Sequence, residues 1–84
     1  MNYNIFLSSG AAKFLENLNK VNKQRIITKL RQLEDKPFSL PYKKIKGRDS
    51  TYRIRIGDFR VIYSVRGSEL RVLKIDWRGG VYDK

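Results

Sequence analysis

Three arginines crowd one short stretch of this chain: Arg53 and Arg55 precede a Gly57-Asp58 dipeptide and Arg60 follows it. A guanidinium is a planar fork of donors that keeps its charge at any physiological pH, and it matches the oxygen pairs of a phosphate. The chain has neither histidine nor cysteine. Serine–histidine and cysteine–histidine catalysis, disulfides, cysteine metal sites and ribonuclease mechanisms that use a histidine pair are therefore excluded. The carboxylates (Glu16, Glu34, Asp35, Asp49, Asp58, Glu69, Asp76 and Asp83) are scattered, with no cluster that would hold two divalent ions. No metal and no small-molecule cofactor is expected. The chemistry these residues suit is phosphate binding.

The rest of the composition points the same way. Nineteen Lys and Arg against eight acids give a formal net charge of +11 on 84 residues. So much charge on so small a body implies a polyanionic partner, and nucleic acid leads the candidates. A single domain spanning residues 1–84 is expected. A domain of that size buries only about 60–65% of its unfolded surface, so an open groove is more natural than a deep pocket. The N-terminus lacks a basic segment followed by a long apolar run, so no signal peptide or membrane span is expected, and the expected location is cytoplasmic.

Positioning these arginines needs a sheet. Tyr3, Ile5 and Leu7 alternate with polar residues and predict a short first strand. Ser8 or Ser9 caps a helix to about Leu18, with Ala11, Phe14, Leu15 and Leu18 on one stripe. Asn19 caps a second helix over about Lys20–Asp35, with Ile26, Ile27, Leu30 and Leu33 facing the core, and Pro37 ends it. Tyr42–Lys46 predicts a lysine-rich edge strand and Gly47–Ser50 a turn. Thr51–Ile56 and Phe59–Val65 predict a hairpin closed by Gly57-Asp58, and a second hairpin leads into Leu70–Trp77. In that last strand Leu70 and Val72 lie on one parity, Leu73, Ile75 and Trp77 on the other. The expected fold class is α+β, in the order β-α-α-β-β-β(-β). A mainly antiparallel sheet of four to five strands carries a helical hairpin on one face and leaves the other face open and basic.

A two-residue turn sets the hairpin register: Ile56 opposite Phe59, Arg55 opposite Arg60, Ile54 opposite Val61, Tyr52 opposite Tyr63. Opposed side chains have Cβ atoms about 4.5–5.5 Å apart, and like charges there repel. An anionic ligand would relieve the Arg55–Arg60 repulsion; the plainer reading is a solvated basic face screened by salt. Gly79-Gly80 lets the tail bend, so that Arg78 and Tyr82 could return towards this face.

The stretch Lys44-Ile45-Lys46-Gly47, then Tyr52-Arg53-Ile54-Arg55-Ile56-Gly57-Asp58-Phe59-Arg60-Val61-Ile62-Tyr63, resembles the central hairpin of the RelE/ParE toxin superfamily. The ending Leu73-Lys74-Ile75-Asp76-Trp77-Arg78-Gly79-Gly80-Val81-Tyr82 resembles its C-terminal block, although Trp77 stands where many relatives have histidine. The RelE branch implies a toxin that cuts mRNA in the ribosome, neutralised by an antitoxin that wraps around it. The resemblance assigns catalytic roles to Arg55, Arg60, Arg78 and Tyr82 and RNA contacts to Arg53 and Arg55, and Lys44, Lys46, Arg48 and Trp77 are expected as further RNA contacts. The implied chemistry is attack by the RNA 2′-hydroxyl on the adjacent phosphate. Arg60 and Arg55 then stabilise developing charge, Tyr82 accepts the hydroxyl proton, and Arg78 assists the leaving group. The expected partners are mRNA, ribosomal RNA and an acidic antitoxin. Two alternatives remain open: a ParE-like inhibitor of DNA gyrase, and an RNA-binding module without catalysis.

Overall fold

The computed structural model describes residues 3–77. The elements run β1 (Asn4–Leu7), α1 (Ser9–Glu16), α2 (Lys20–Asp35), β2 (Tyr42–Lys44), β3 (Thr51–Ile56), β4 (Phe59–Arg66) and β5 (Glu69–Trp77). The five strands form one sheet in the order β1-β5-β4-β3-β2, with β1 parallel to β5 and the other pairs antiparallel. The helix starts follow their caps: Ser8 Oγ accepts from the Ala11 N–H and Asn19 Oδ1 from the Asn22 N–H, each satisfying an otherwise orphaned donor. Lys36, held extended before Pro37, ends α2.

Both helices cover one sheet face. Ala11, Leu15, Ile26, Leu30 and Leu33 bury against Ile54, Ile56, Phe59, Val61, Tyr63, Leu70, Val72 and Ile75. Tyr63 is completely buried, and its hydroxyl donates to the Pro37 carbonyl at 2.8 Å. That bond fixes the start of the α2–β2 connection to the centre of the sheet. No helix among the described residues is long and apolar enough to cross a membrane.

The two parities in β5 have a definite cause. Ile62 pairs with Lys74 and Tyr63 with Val72, so Leu73 is an extra residue with no partner. This bulge lets Leu70 and Val72, then Ile75 and Trp77, all take the helix-covered side. The two apolar parities therefore do not mean two buried faces: one side is buried, and the bulge shifts the phase. Ser8 stitches α1 to the bulge, its N–H donating to the Val72 carbonyl and its Oγ to the Leu73 carbonyl, both at 2.9 Å.

Candidate nucleic-acid interface

The β3–β4 hairpin has the register its turn dictates, Arg55 opposite Arg60 and Ile56 opposite Phe59. Gly57 sits at φ +59°, a left-handed conformation that suits glycine, and a Cβ there would lie 2.8 Å from Arg25 Nη1. The side chains facing away from the helices are set by pairing. Lys43 is opposite Arg53, Arg53 opposite Ile62, Arg55 opposite Arg60, Arg60 opposite Asp76, Ile62 opposite Lys74 and Ser64 opposite Arg71. Six cations thus share the uncovered face. Arg71 lies over the Phe6 ring, 5.0 Å from its centroid, and pairs with Glu69 at 2.9 Å.

The centre of this face differs from the sequence expectation. Arg60 Nε and Nη2 donate to the two carboxylate oxygens of Asp76, at 3.1 and 3.0 Å. Lys74 Nζ approaches the same carboxylate at 3.6 Å. Repulsion between Arg55 and Arg60 is therefore relieved within the chain, by an acid that the sequence reading left unplaced. The side-on fork also holds the guanidinium in one orientation, which a lone salt-screened arginine on a surface would not keep. Arg53 and Arg55 are exposed, as is Lys43. Among the described residues none of the three has an acidic partner.

The remaining assigned residues divide. Lys44 is opposite Tyr52 and therefore on the other parity, at the sheet edge; Lys43 takes the place expected of it. Lys46 and Arg48 are exposed in the β2–β3 connection. That connection enters β3 at Thr51, about 13 Å along the strand from Arg55. Trp77 does not join the outward-facing set. It pairs with Phe59 on the helix side, its ring 4.5 Å from that of Phe59 and 6.4 Å from that of Phe14. Arg78 and Tyr82 lie outside the described residues. Among the described residues no three acids converge to hold a metal ion.

Sequence reasoning missed Lys43 and Asp76. Pairing the edge strand by its aromatic, with Tyr42 beside Ile54, would have found Lys43. Finding Asp76 required the bulge. The described structure is thus a scaffold with a basic, uncovered sheet face, an oriented arginine at its centre and the helices behind.

Comparison with known proteins gives that scaffold a family. Residues 5–82 match the family described as the ParE toxin of type II toxin–antitoxin systems, and the chain belongs to the RelE/ParE toxin superfamily. Among individual proteins, it is 31% identical over 87 residues to the protein of Methanocaldococcus jannaschii that carries the name toxin RelE1, covering 98% of this chain and 97% of that one. It superposes on the archaeal RelE of the RelE–RelB complex from Pyrococcus horikoshii with a TM-score of 0.81 and 31% identity, covering 94% and 98% of the two chains. The isolated Escherichia coli RelE toxin, at 19% identity and a TM-score of 0.78 over 90% and 84% of the chains, shares the fold.

Proposed function

We propose that this toxin cleaves mRNA on the ribosome, without a metal, by attack of a 2′-hydroxyl on the adjacent phosphate. The observation that carries the reading is the Arg60–Asp76 fork beside Arg55. A fixed guanidinium stabilises charge that develops in a transition state without having to reorganise, and that is what phosphoryl chemistry asks of a protein with no histidine. Arg60 stabilises the scissile phosphate, Arg55 and Arg53 hold the backbone, and Arg78 and Tyr82 supply leaving-group electrostatics and proton acceptance. The nucleophile comes from the RNA, so the bond formed is 2′-oxygen to phosphorus and the bond broken is phosphorus to the 5′-oxygen. The partner that silences it is an antitoxin carrying an acidic segment that covers the basic face. Purified protein added to programmed ribosomes should cut the message within translated codons, mapped as new 5′ ends. Arg60→Ala should stop the cutting while the fold survives, and undiminished cutting by that variant would refute the assignment.

The family model's ParE description favours one second reading, inhibition of DNA gyrase. A supercoiling assay separates the two: arrested gyrase with intact message would replace the nuclease reading.

A further inference from the structure

Proton transfer is the step for which this chain is least equipped. Cleavage as read above needs a proton for the departing 5′-oxygen, because an alkoxide leaves about as reluctantly as hydroxide, whose conjugate acid has a pKa near 15.7. The chain has neither histidine nor cysteine. A guanidinium keeps its proton, with a pKa above about 12. The acids of the uncovered face, Glu69 and Asp76, are ion-paired with Arg71 and Arg60, and a carboxylate has no proton to give. Tyr42, Tyr52 and Tyr63 are on the parity of Ile54 and Val61, which the helices cover. Among the described residues the uncovered face then offers two amines, Lys43 and Lys74. An ammonium releases its proton near pH 10, roughly two units below a guanidinium.

The two amines are not equivalent. Lys43 stands on the edge strand opposite Arg53, two strands from Arg60, or about 10 Å across the sheet. Lys74 is opposite Ile62, on the strand next to Arg60 and diagonal to it. Diagonal neighbours lie about 7–8 Å apart at the backbone, within reach of long side chains. Here the tips converge: Arg60 Nη2 is 3.0 Å from Asp76 Oδ2, and Lys74 Nζ is 3.6 Å from the same oxygen. A phosphodiester lying against both would have a guanidinium for its non-bridging oxygens and an ammonium for a bridging one. The place of Lys74 comes from the pairing of β4 with β5, not from its loose contact with Asp76. Its side chain is 63% exposed, and the four-carbon stem lets the amine swing to a bound substrate.

We propose that Lys74 is the general acid of the cleavage, giving a proton from Nζ to the 5′-oxygen as that oxygen leaves. The inference rests on the nuclease reading above and adds to it a catalytic residue from β5. As the 2′-oxygen bonds to phosphorus, its proton passes to Tyr82. As the bond from phosphorus to the 5′-oxygen breaks, the electron pair stays on that oxygen and takes the Lys74 proton. The products are a 2′,3′-cyclic phosphate and a 5′-hydroxyl, and the neutral amine regains its proton from the solvent it faces. Arg78 stabilises charge at the same oxygen without a proton to give.

The test uses a leaving group that needs no acid. Two messages are placed on programmed ribosomes, one ordinary and one with sulfur replacing the 5′-bridging oxygen at the mapped cut. A thiolate leaves unprotonated, since a thiol has a pKa near 8.5. Lys74→Ala should cut the ordinary message about 10²- to 10⁴-fold more slowly than the parent. Lys74→Arg keeps the charge but not the transferable proton, and should be nearly as slow. Both variants should cut the sulfur message within a few-fold of the parent, whereas Arg60→Ala should fail on both messages. Thermal unfolding at the parent's temperature shows that each variant is folded. Parent-like cutting of the ordinary message by Lys74→Ala would overturn the proposal. So would full activity in Lys74→Arg, which would mean that charge alone matters, or an equal defect on the two messages, which would make Lys74 a phosphate contact. In each of these cases the parent still cuts and the nuclease reading stands. A parent that cuts neither message sinks that reading and the role of Lys74 with it.

Discussion

Removing one buried oxygen, by Tyr63→Phe, should make alkaline stability reveal how the sheet edge is held. The Tyr63 hydroxyl is fully buried and donates to the Pro37 carbonyl at 2.8 Å. Burial pushes its pKa from 10.0 up to about 12, with Tyr42 and Tyr52 adding to the rise. A folded-state pKa above the unfolded value means that the folded chain holds this proton more tightly. Its contribution is complete below pH 10 and is lost as pH rises through about 12. Two pH units correspond to about 2.7 kcal/mol. Below pH 10 the variant should be less stable by about 1–3 kcal/mol, since the Pro37 carbonyl loses its donor in a buried place. Urea unfolding followed by Trp77, the single tryptophan, measures both chains across the range. Lysine and other tyrosine titrations are common to the two and cancel in the difference. The gap should shrink by up to about 2.7 kcal/mol on approaching pH 12. A gap that stays constant with pH would refute the reasoning, because a hydroxyl that ionises without cost is not the buried clamp described.

Three further outcomes are expected. Asp76→Asn weakens a pair whose side chains are 34% and 18% exposed, so stability should fall by only roughly 1 kcal/mol. Message cleavage should fall far more, and in an Arg60→Ala background Asp76→Asn should take nothing further from whatever cutting is left; a further loss there would deny that Asp76 acts through Arg60. Ser8→Ala removes a helix cap and the donor to the Leu73 carbonyl, and chemical denaturation should register about 1–2 kcal/mol. Gly57→Ala places a side chain at φ +59° against the Arg25 tip and should cost about 1–2 kcal/mol, read by the same denaturation.

The hairpin was legible because two independent signals agree there. Alternation of Tyr52, Ile54 and Ile56 with Arg53 and Arg55 sets the faces, and Gly57-Asp58 sets the register. The helices were legible from Ser8, Asn19 and their apolar stripes. The expected first helix ran to about Leu18, whereas Asn17 caps α1 after Glu16. Around the hairpin, legibility failed where long-range pairing decides. A three-residue strand carries no periodicity, so the choice between Lys43 and Lys44 waited on its register against β3. The acid at Asp76 was hidden behind the irregularity at Leu73. Trp77 was expected among the RNA contacts, and its packing on Phe59 and Phe14 follows from the pairing of β4 with β5.

Leu73 itself is superfluous to the alternation. Were it deleted, Val72 would be followed by Lys74 and every side chain of β5 would keep its side. What would vanish is the surplus right-handed coil that an inserted residue gives a strand. The uncovered surface would relax from a saddle towards a plane, and the anchor of α1 on the Leu73 carbonyl would go with it. A molecule shortened in this way should remain folded and just as basic, yet grip a flexible polymer less well. That would separate the curvature of the surface from its charge.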